Sequence, residues 1–248
     1  MPSSIRFFHF ASPARFYALA TRWSPALWVL AAVLAAAALY IGFFVAPTDA
    51  TQGDAYRIIF IHVPAAWMSM VLYLAMALWA AIGWALNARL ASMFARAIAP
   101  TGAMFTFLAL WTGALWGRPT WGTWWVWDGR LTSFLILLFL YFGYIALAQA
   151  AQRDAAAGEG GNRIVAIFGL VGAINIPIIN RSVVWWNSLH QPPSITMGKS
   201  SIDGTFLWPL LIAAIGFSLI YGALVMARMR TLLAQIQTEA RLRRKALG

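Results

Sequence analysis

Long apolar runs alternate along this chain with short polar segments. Trp23–Phe44, Ile58–Trp84 and Phe206–Met226 each reach the ~20 residues that a helix needs to cross a bilayer, and Leu131–Gln149 comes close to it. Thr101–Leu115 and Ile164–Ile179 are shorter but equally apolar. The pattern predicts an all-α integral membrane protein with six transmembrane helices, at about 23–44, 58–84, 101–115, 131–149, 164–179 and 206–226. The whole of 1–248 then forms a single polytopic membrane domain. His62 falls in the first turn of the second helix, just before Pro64. Asn175 and Pro177 mark a kinked or frayed outer end of the fifth, because proline breaks the helical hydrogen-bond ladder.

Composition agrees with the pattern. The chain is 62% apolar and 10% charged, against about half and a quarter for a soluble domain. Its net charge of +11 does not indicate nucleic acid, because the basic residues cap the apolar runs and no nucleic-acid motif is present. With both termini in the cytoplasm, 13 of the 18 Lys and Arg fall inside and 5 outside, the positive-inside bias. The basic lead 1–22, with Arg6, Arg15 and Arg22, precedes a run longer than the about 7–15 apolar residues of a signal peptide, so it reads as a retained first helix. His9 in that lead reads as a solvated residue. The basic tail 227–248 reads as an amphipathic helix with Leu232, Leu233 and Ile236 on one side, suited to anionic membrane lipid or a cytoplasmic partner. No cysteine is present, which excludes disulfides, thiolate metal sites and a C-x-x-C-H haem attachment sequence.

One stretch departs from ordinary membrane sequence. WGRPTWGTWWVWDGR at 116–130 carries Trp116, Trp121, Trp124, Trp125 and Trp127, and ends in Asp128 and Arg130. An interfacial aromatic belt accounts for one or two tryptophans per helix end, and five exceed it. The topology makes this an outer loop between helices three and four. It shares that side with His62 and with His190, which lies in the last outer loop beside Trp185 and Trp186.

Imidazole ligates metals and haem iron, and two histidines are too few for a structural zinc site. Haem accounts for more of the pattern. Its faces would rest on Trp116, Trp121, Trp124, Trp125, Trp127, Trp185 and Trp186, and its iron would take His62 and His190. Arg57, Arg118, Arg130 and Arg181 stand at the outer boundary, and arginine's planar fork suits propionates. Arg57 and Arg130 are the leading candidates, with Arg118 next. Asp128 reads as the residue that orders the loop.

With these residues in view, the chain resembles the WWD-motif haem-handling family of cytochrome c maturation, and within it the haem-exporter, cytochrome c biogenesis protein C, branch. WGRPTWGTWWVWDGRLTS at 116–133 follows the family's tryptophan-rich motif, while IHVPAAW at 61–67 and WWNSLHQP at 185–192 match its two histidine segments. The resemblance runs from helix one to helix six. It implies haem b as a transient, non-covalent cargo at the periplasmic face of the bacterial inner membrane. It also implies handover to a membrane-tethered haem chaperone, with an ABC transporter's ATPase and permease subunits and a small single-span membrane protein as partners. His62 and His190 occupy the family's haem-histidine positions, and Trp121, Trp124, Trp125, Trp127 and Asp128 fall on its motif.

Ligand exchange needs no general acid or base, so the chain does not read as an enzyme. A transmembrane haem transporter subunit is one alternative, although charges are missing from the middle of all six spans. A cytochrome b-type respiratory membrane subunit is another, although it favours histidines buried in helices. A sugar or lipid head-group enzyme ranks last, for want of paired outer carboxylates.

Overall fold

The computed structural model of the chain describes residues 12–153, 158–191, 194–196 and 199–247. Arg6 and His9, assigned from sequence to a cytoplasmic lead, lie outside the described residues. Helix α1 (Pro13–Tyr40) opens with proline at its first helical position, where the missing amide has no intrahelical acceptor to lose. It is prolonged by a π turn over Ile41–Val45. A 3-10 turn, Asp54–Ile58, feeds directly into α2 (Ile59–Ala85). The chain reverses through Asn87, at φ 49°, into α3 (Arg89–Trp121). Helix α4 (Gly129–Arg153) follows, then α5 (Gly158–Gly172) and α6 (Asn175–Trp185), and finally α7 (Gly204–Leu247). Between α6 and α7 two short strands, β1 (Ile195–Thr196) and β2 (Lys199–Ser200), pair antiparallel with Ile195 opposite Ser200.

Among the described residues, six helical segments are long and apolar enough to cross a membrane, α5 and α6 together supplying one of them. That agrees with the number expected from sequence, but the limits move. Helix α1 begins at Pro13 rather than at Trp23, taking in Arg15 and Arg22. Helix α3 begins at Arg89, since the alanine-rich stretch before Pro100 is strongly helix-forming, and it runs on to Trp121. Half of the expected tryptophan loop is therefore helix. Thr120 donates its hydroxyl to Trp116 O at 2.7 Å. Gly122, at φ 77°, then turns the chain out with its amide on Arg118 O at 3.1 Å.

The fifth span also extends beyond its expected end. Its break falls at 173–174, and α6 resumes from Asn175 as far as Trp185. Pro177 is tolerated because it sits in the first turn of α6, where amides lack intrahelical acceptors. Asn175, buried, donates its side-chain amide to Ser133 O at 2.9 Å and ties the break to α4. The basic tail continues α7 as one helix to Leu247.

The core lies between α2, α3, α4 and α7. Tyr73, Met76, Phe105, Leu137 and Tyr141 are fully buried in it. Tyr141 donates its hydroxyl to Ser69 O at 2.7 Å, and its ring stands edge-on to Tyr73 at 5.0 Å. Helix α1 lies along α7 and buries mainly small side chains, Ala20, Ala31 and Ala38. Small residues let helices approach where lipid supplies no hydrophobic drive for association. Its other face exposes Val29 and Val33, as a hydrocarbon-facing surface does.

Candidate functional site

At the end of the bundle where α2 begins and α3 finishes, a cavity of about 300 Å³ opens. Both His62 and His190 line it, the first from α2 and the second from the segment after α6. Trp116 and Trp121 enter from the last turns of α3, Trp125 from the short link to α4, and Arg130 from the first turn of α4. Trp67 of α2, Phe134 and Tyr56 complete the aromatic lining. A concave, mainly apolar site with a few convergent polar groups is the usual form of a ligand pocket.

The two imidazoles are oriented alike. Thr112 donates its hydroxyl to Leu108 O at 2.7 Å, so its oxygen is left to accept from His62 Nδ1 at 3.1 Å. His190 Nδ1 lies 2.8 Å from Gln191 O, an acceptor only. In each ring Nδ1 therefore carries the proton and Nε2 keeps its lone pair. A metal-binding histidine is fixed in this same way, by a hydrogen bond at its other nitrogen. His62 also packs edge-on against Trp116, with centroids 5.6 Å apart, and His190 lies 6.3 Å from Trp121.

The histidines differ in support. His62 is built into a helix and braced by α3. His190 hangs on a loop held by a relay: Ser188 donates to Asp128 Oδ2, and the His190 amide donates to Ser188 Oγ at 3.1 Å. Asp128 Oδ1 in turn accepts the Leu131 amide at 2.8 Å, capping α4. One carboxylate thus ties the tryptophan stretch to the second histidine. Burial first, and then the Arg130 guanidinium, hold the His190 pKa below its ordinary value of 6.5, against the opposing pull of the Gln191 carbonyl and Asp128.

Arg130 donates to Ile179 O at 2.9 Å and lies over the Phe134 ring at 5.5 Å. That uses one of its five N–H donors, and no other hydrogen bond is made by its side chain to the described residues. Trp125 Nε1 is buried and has no partner among the described residues. An unpaired buried donor is costly, and this one belongs to a side chain that lines the cavity. Two unprotonated imidazole nitrogens, flat aromatic walls and cationic or N–H donors fit a planar, mostly apolar ligand with an iron centre and carboxylate arms.

Other residues marked from sequence lie elsewhere. Arg57 is occupied with Gly42 O at 3.1 Å, Ala46 O at 2.7 Å and Asp54 at 2.9 Å, and so closes the end of the π turn. Arg118 is exposed and bonds Gly122 O. Neither lines the cavity, nor do Trp124 and Trp127, which are 55% and 77% exposed. Trp185 and Trp186 pair edge-on at 5.9 Å on the outside, at the end of α6.

Conversely, Thr112, Ser188 and Gln52 escaped sequence reasoning. Gln52 accepts from Trp116 Nε1 at 2.6 Å and clips the loop after the π turn onto α3. The available signals were spacing alone: Thr112 precedes Trp116 by one turn, and Ser188 precedes His190 by two residues.

The chain matches the family model described as Heme exporter protein C (CcmC) over residues 6–244. It is 50% identical to the heme exporter protein C of Bradyrhizobium diazoefficiens over 224 residues, which is 89% of this chain and 82% of the relative. With the protein of that name from Escherichia coli K12 it shares 46% over 223 residues, 90% and 89% of the two chains. A putative cytochrome c biosynthesis ccmC-like mitochondrial protein of Marchantia polymorpha is 44% identical over 189 residues, 76% and 78%. With this extent of match, the chain belongs to the heme exporter protein C family.

Proposed function

We propose that the chain holds haem b, without covalent attachment, in the cavity between His62 and His190 and hands it to a membrane-tethered haem chaperone for cytochrome c maturation. The observation that carries this reading is the pair of histidines on one aromatic cavity, each with Nδ1 engaged and Nε2 uncommitted. Trp116, Trp121 and Trp125 support the porphyrin faces, and Arg130 with Trp125 Nε1 meets the propionates. Trp124 and Trp127, exposed beside the mouth, are placed to meet the arriving chaperone or lipid. The positive-inside bias supports a periplasmic mouth on the bacterial inner membrane, with both termini cytoplasmic. The names of the relatives support a part in heme export; the ABC transporter's ATPase and permease subunits and the small single-span protein rest on the resemblance alone.

The asymmetry of support gives the handover a direction. His62, braced by α3, is the retained ligand. His190, on a tethered loop, is the one that an incoming chaperone histidine displaces. Iron bound in the pocket supplies the coordination bond; the protein supplies orientation, a dry aromatic wall and a releasable arm. No proton transfer or covalent step by the chain is required, which separates this reading from an enzyme. The fully buried Tyr73, Met76 and Leu137 fill the core below the cavity and favour a holder over a continuous transmembrane path.

The test uses purified His62→Ala and His190→Ala chains. Each is expected to alter the haem absorption spectrum, with loss of His62 reducing occupancy more and loss of His190 impairing chaperone loading less than occupancy suggests. Unchanged spectra and unchanged loading in both variants overturn the assignment.

A further inference from the structure

A second cavity, of about 280 Å³, opens at the opposite end of the bundle between α3, α4 and the middle of α7. Its chemistry differs from the first. Arg96 and Arg228 face it together with the amides of Gln149, Gln152 and Gln235, while Tyr144 and neighbouring alanines form its floor. Among the described residues no carboxylate lines it. The four side chains of Arg228, Gln149, Gln152 and Gln235 make no hydrogen bond to another described residue. Arg96, half-buried, gives one nitrogen to Asn162 Oδ1 at 3.1 Å, which tethers one edge of its guanidinium.

We propose that this cavity binds a phosphate oxyanion, the chemistry shared by an anionic phospholipid head group and free phosphate. Two guanidinium groups supply charge and paired N–H donors of the right planar geometry. The three amides supply neutral donors around them. The site lacks what haem would need: among the described residues no histidine or methionine lines it, and Tyr144 is the only aromatic ring there. Its place at the ends of apolar helices, with an apolar floor under a basic rim, is that of a head-group site between transmembrane helices. An interfacial arginine that merely anchors a helix points into water. Arg96 instead stands half-buried, tethered to Asn162 of α5, with Arg228 facing the same space.

The proposal is independent of haem binding and its test keeps the two apart. The delipidated full-length chain in detergent is titrated with phosphatidylglycerol, with phosphatidylethanolamine and with inorganic phosphate, and followed by native mass spectrometry and thermal unfolding. A basic residue near an anionic surface contributes about 1 kcal/mol, or about fivefold in affinity. Retention of phosphatidylglycerol at least about fivefold better than phosphatidylethanolamine identifies a lipid source. Competition or thermal protection by millimolar inorganic phosphate identifies a free-phosphate source. Arg228→Gln, at an exposed position without a hydrogen-bond partner among the described residues, and Arg96→Gln are each expected to reduce the preference about fivefold while haem spectra stay unchanged. Equal retention of both lipids with no effect of phosphate, or a preference untouched in the double variant, overturns the proposal.

Discussion

Ser188 donates its hydroxyl to Asp128, and that single bond couples the tryptophan stretch to the loop that carries His190. The acceptor is a carboxylate that also caps α4 through the Leu131 amide. Substitutions can separate its two duties. Asparagine caps helices about as well as aspartate, but turns a charge-assisted bond to Ser188 into a weaker neutral one. Asp128→Asn should therefore keep its thermal stability and lose haem affinity. Asp128→Ala should lose both, at a cost of about 1 kcal/mol for the cap. Ser188→Ala should copy the affinity loss of Asp128→Asn alone. Thermal unfolding and haem titration on the same preparations read the two effects apart.

Thr112 orients His62. Thr112→Val keeps the shape and removes the acceptor for Nδ1, so the ring loses its fixed tautomer. Loss of such a supporting bond costs about tenfold or more in metal affinity. Haem affinity should fall by that order while Thr112→Ser stays near the parent. Equal affinity in the valine variant would sink the orienting role.

The His190 pKa gives a pH signature. Because it lies below 6.5 in the folded chain, the unfolded state takes up protons first as pH drops. Stability from this group is complete above 6.5 and declines from there toward the lower folded value. Nε2 likewise stays unprotonated, and able to ligate, below pH 6.5. In a haem-loaded His62→Ala chain, the His190-dependent absorption should persist below 6.5 and then fade. Arg130→Gln removes a charge that disfavours the imidazolium, and should shift the fading upward in a spectrophotometric pH titration.

Gly102 makes the close approach of α3 to α4 possible. A Cβ there would lie 2.2 Å from the Tyr141 ring, which is fully buried and bonded to Ser69 O. Gly102→Ala overpacks this contact and should cost about 1–3 kcal/mol. The position is remote from the histidines, so the melting temperature in detergent should drop while the haem spectrum of the folded fraction keeps its shape.

Length and apolarity made the six spans legible, and the sides of the membrane on which His62, Trp121 and His190 would stand followed from counting them. The ends were less legible for definable reasons. Pro119 and Gly117 read as loop, yet Thr120 satisfies Trp116 O and carries α3 on to Gly122. Asn175 and Pro177 read as a terminus, yet Pro177 falls in a first turn that needs no amide. Within the site, residue type identified the histidines but could not sort the tryptophans or arginines. Whether a tryptophan lines a cavity or faces outward depends on where a helix stops. Arg57 and Arg130 look alike in sequence, while the π turn claims the first and the cavity keeps the second.

The break at 173–174 makes the fifth span a jointed rod. The piece nearer the histidine cavity, α6, receives Arg130 at Ile179 O and leads into the His190 arm, while the other piece, α5, holds Arg96 through Asn162. Backbone bonds still cross the joint, from Ala173 N to Gly169 O and from Ile176 N to Ala173 O, each at 3.1 Å. The two ends of the molecule are also joined by α3, α4 and α7, each of which lines both cavities without a break in its helix, so a change at one site has three continuous helices through which to reach the other.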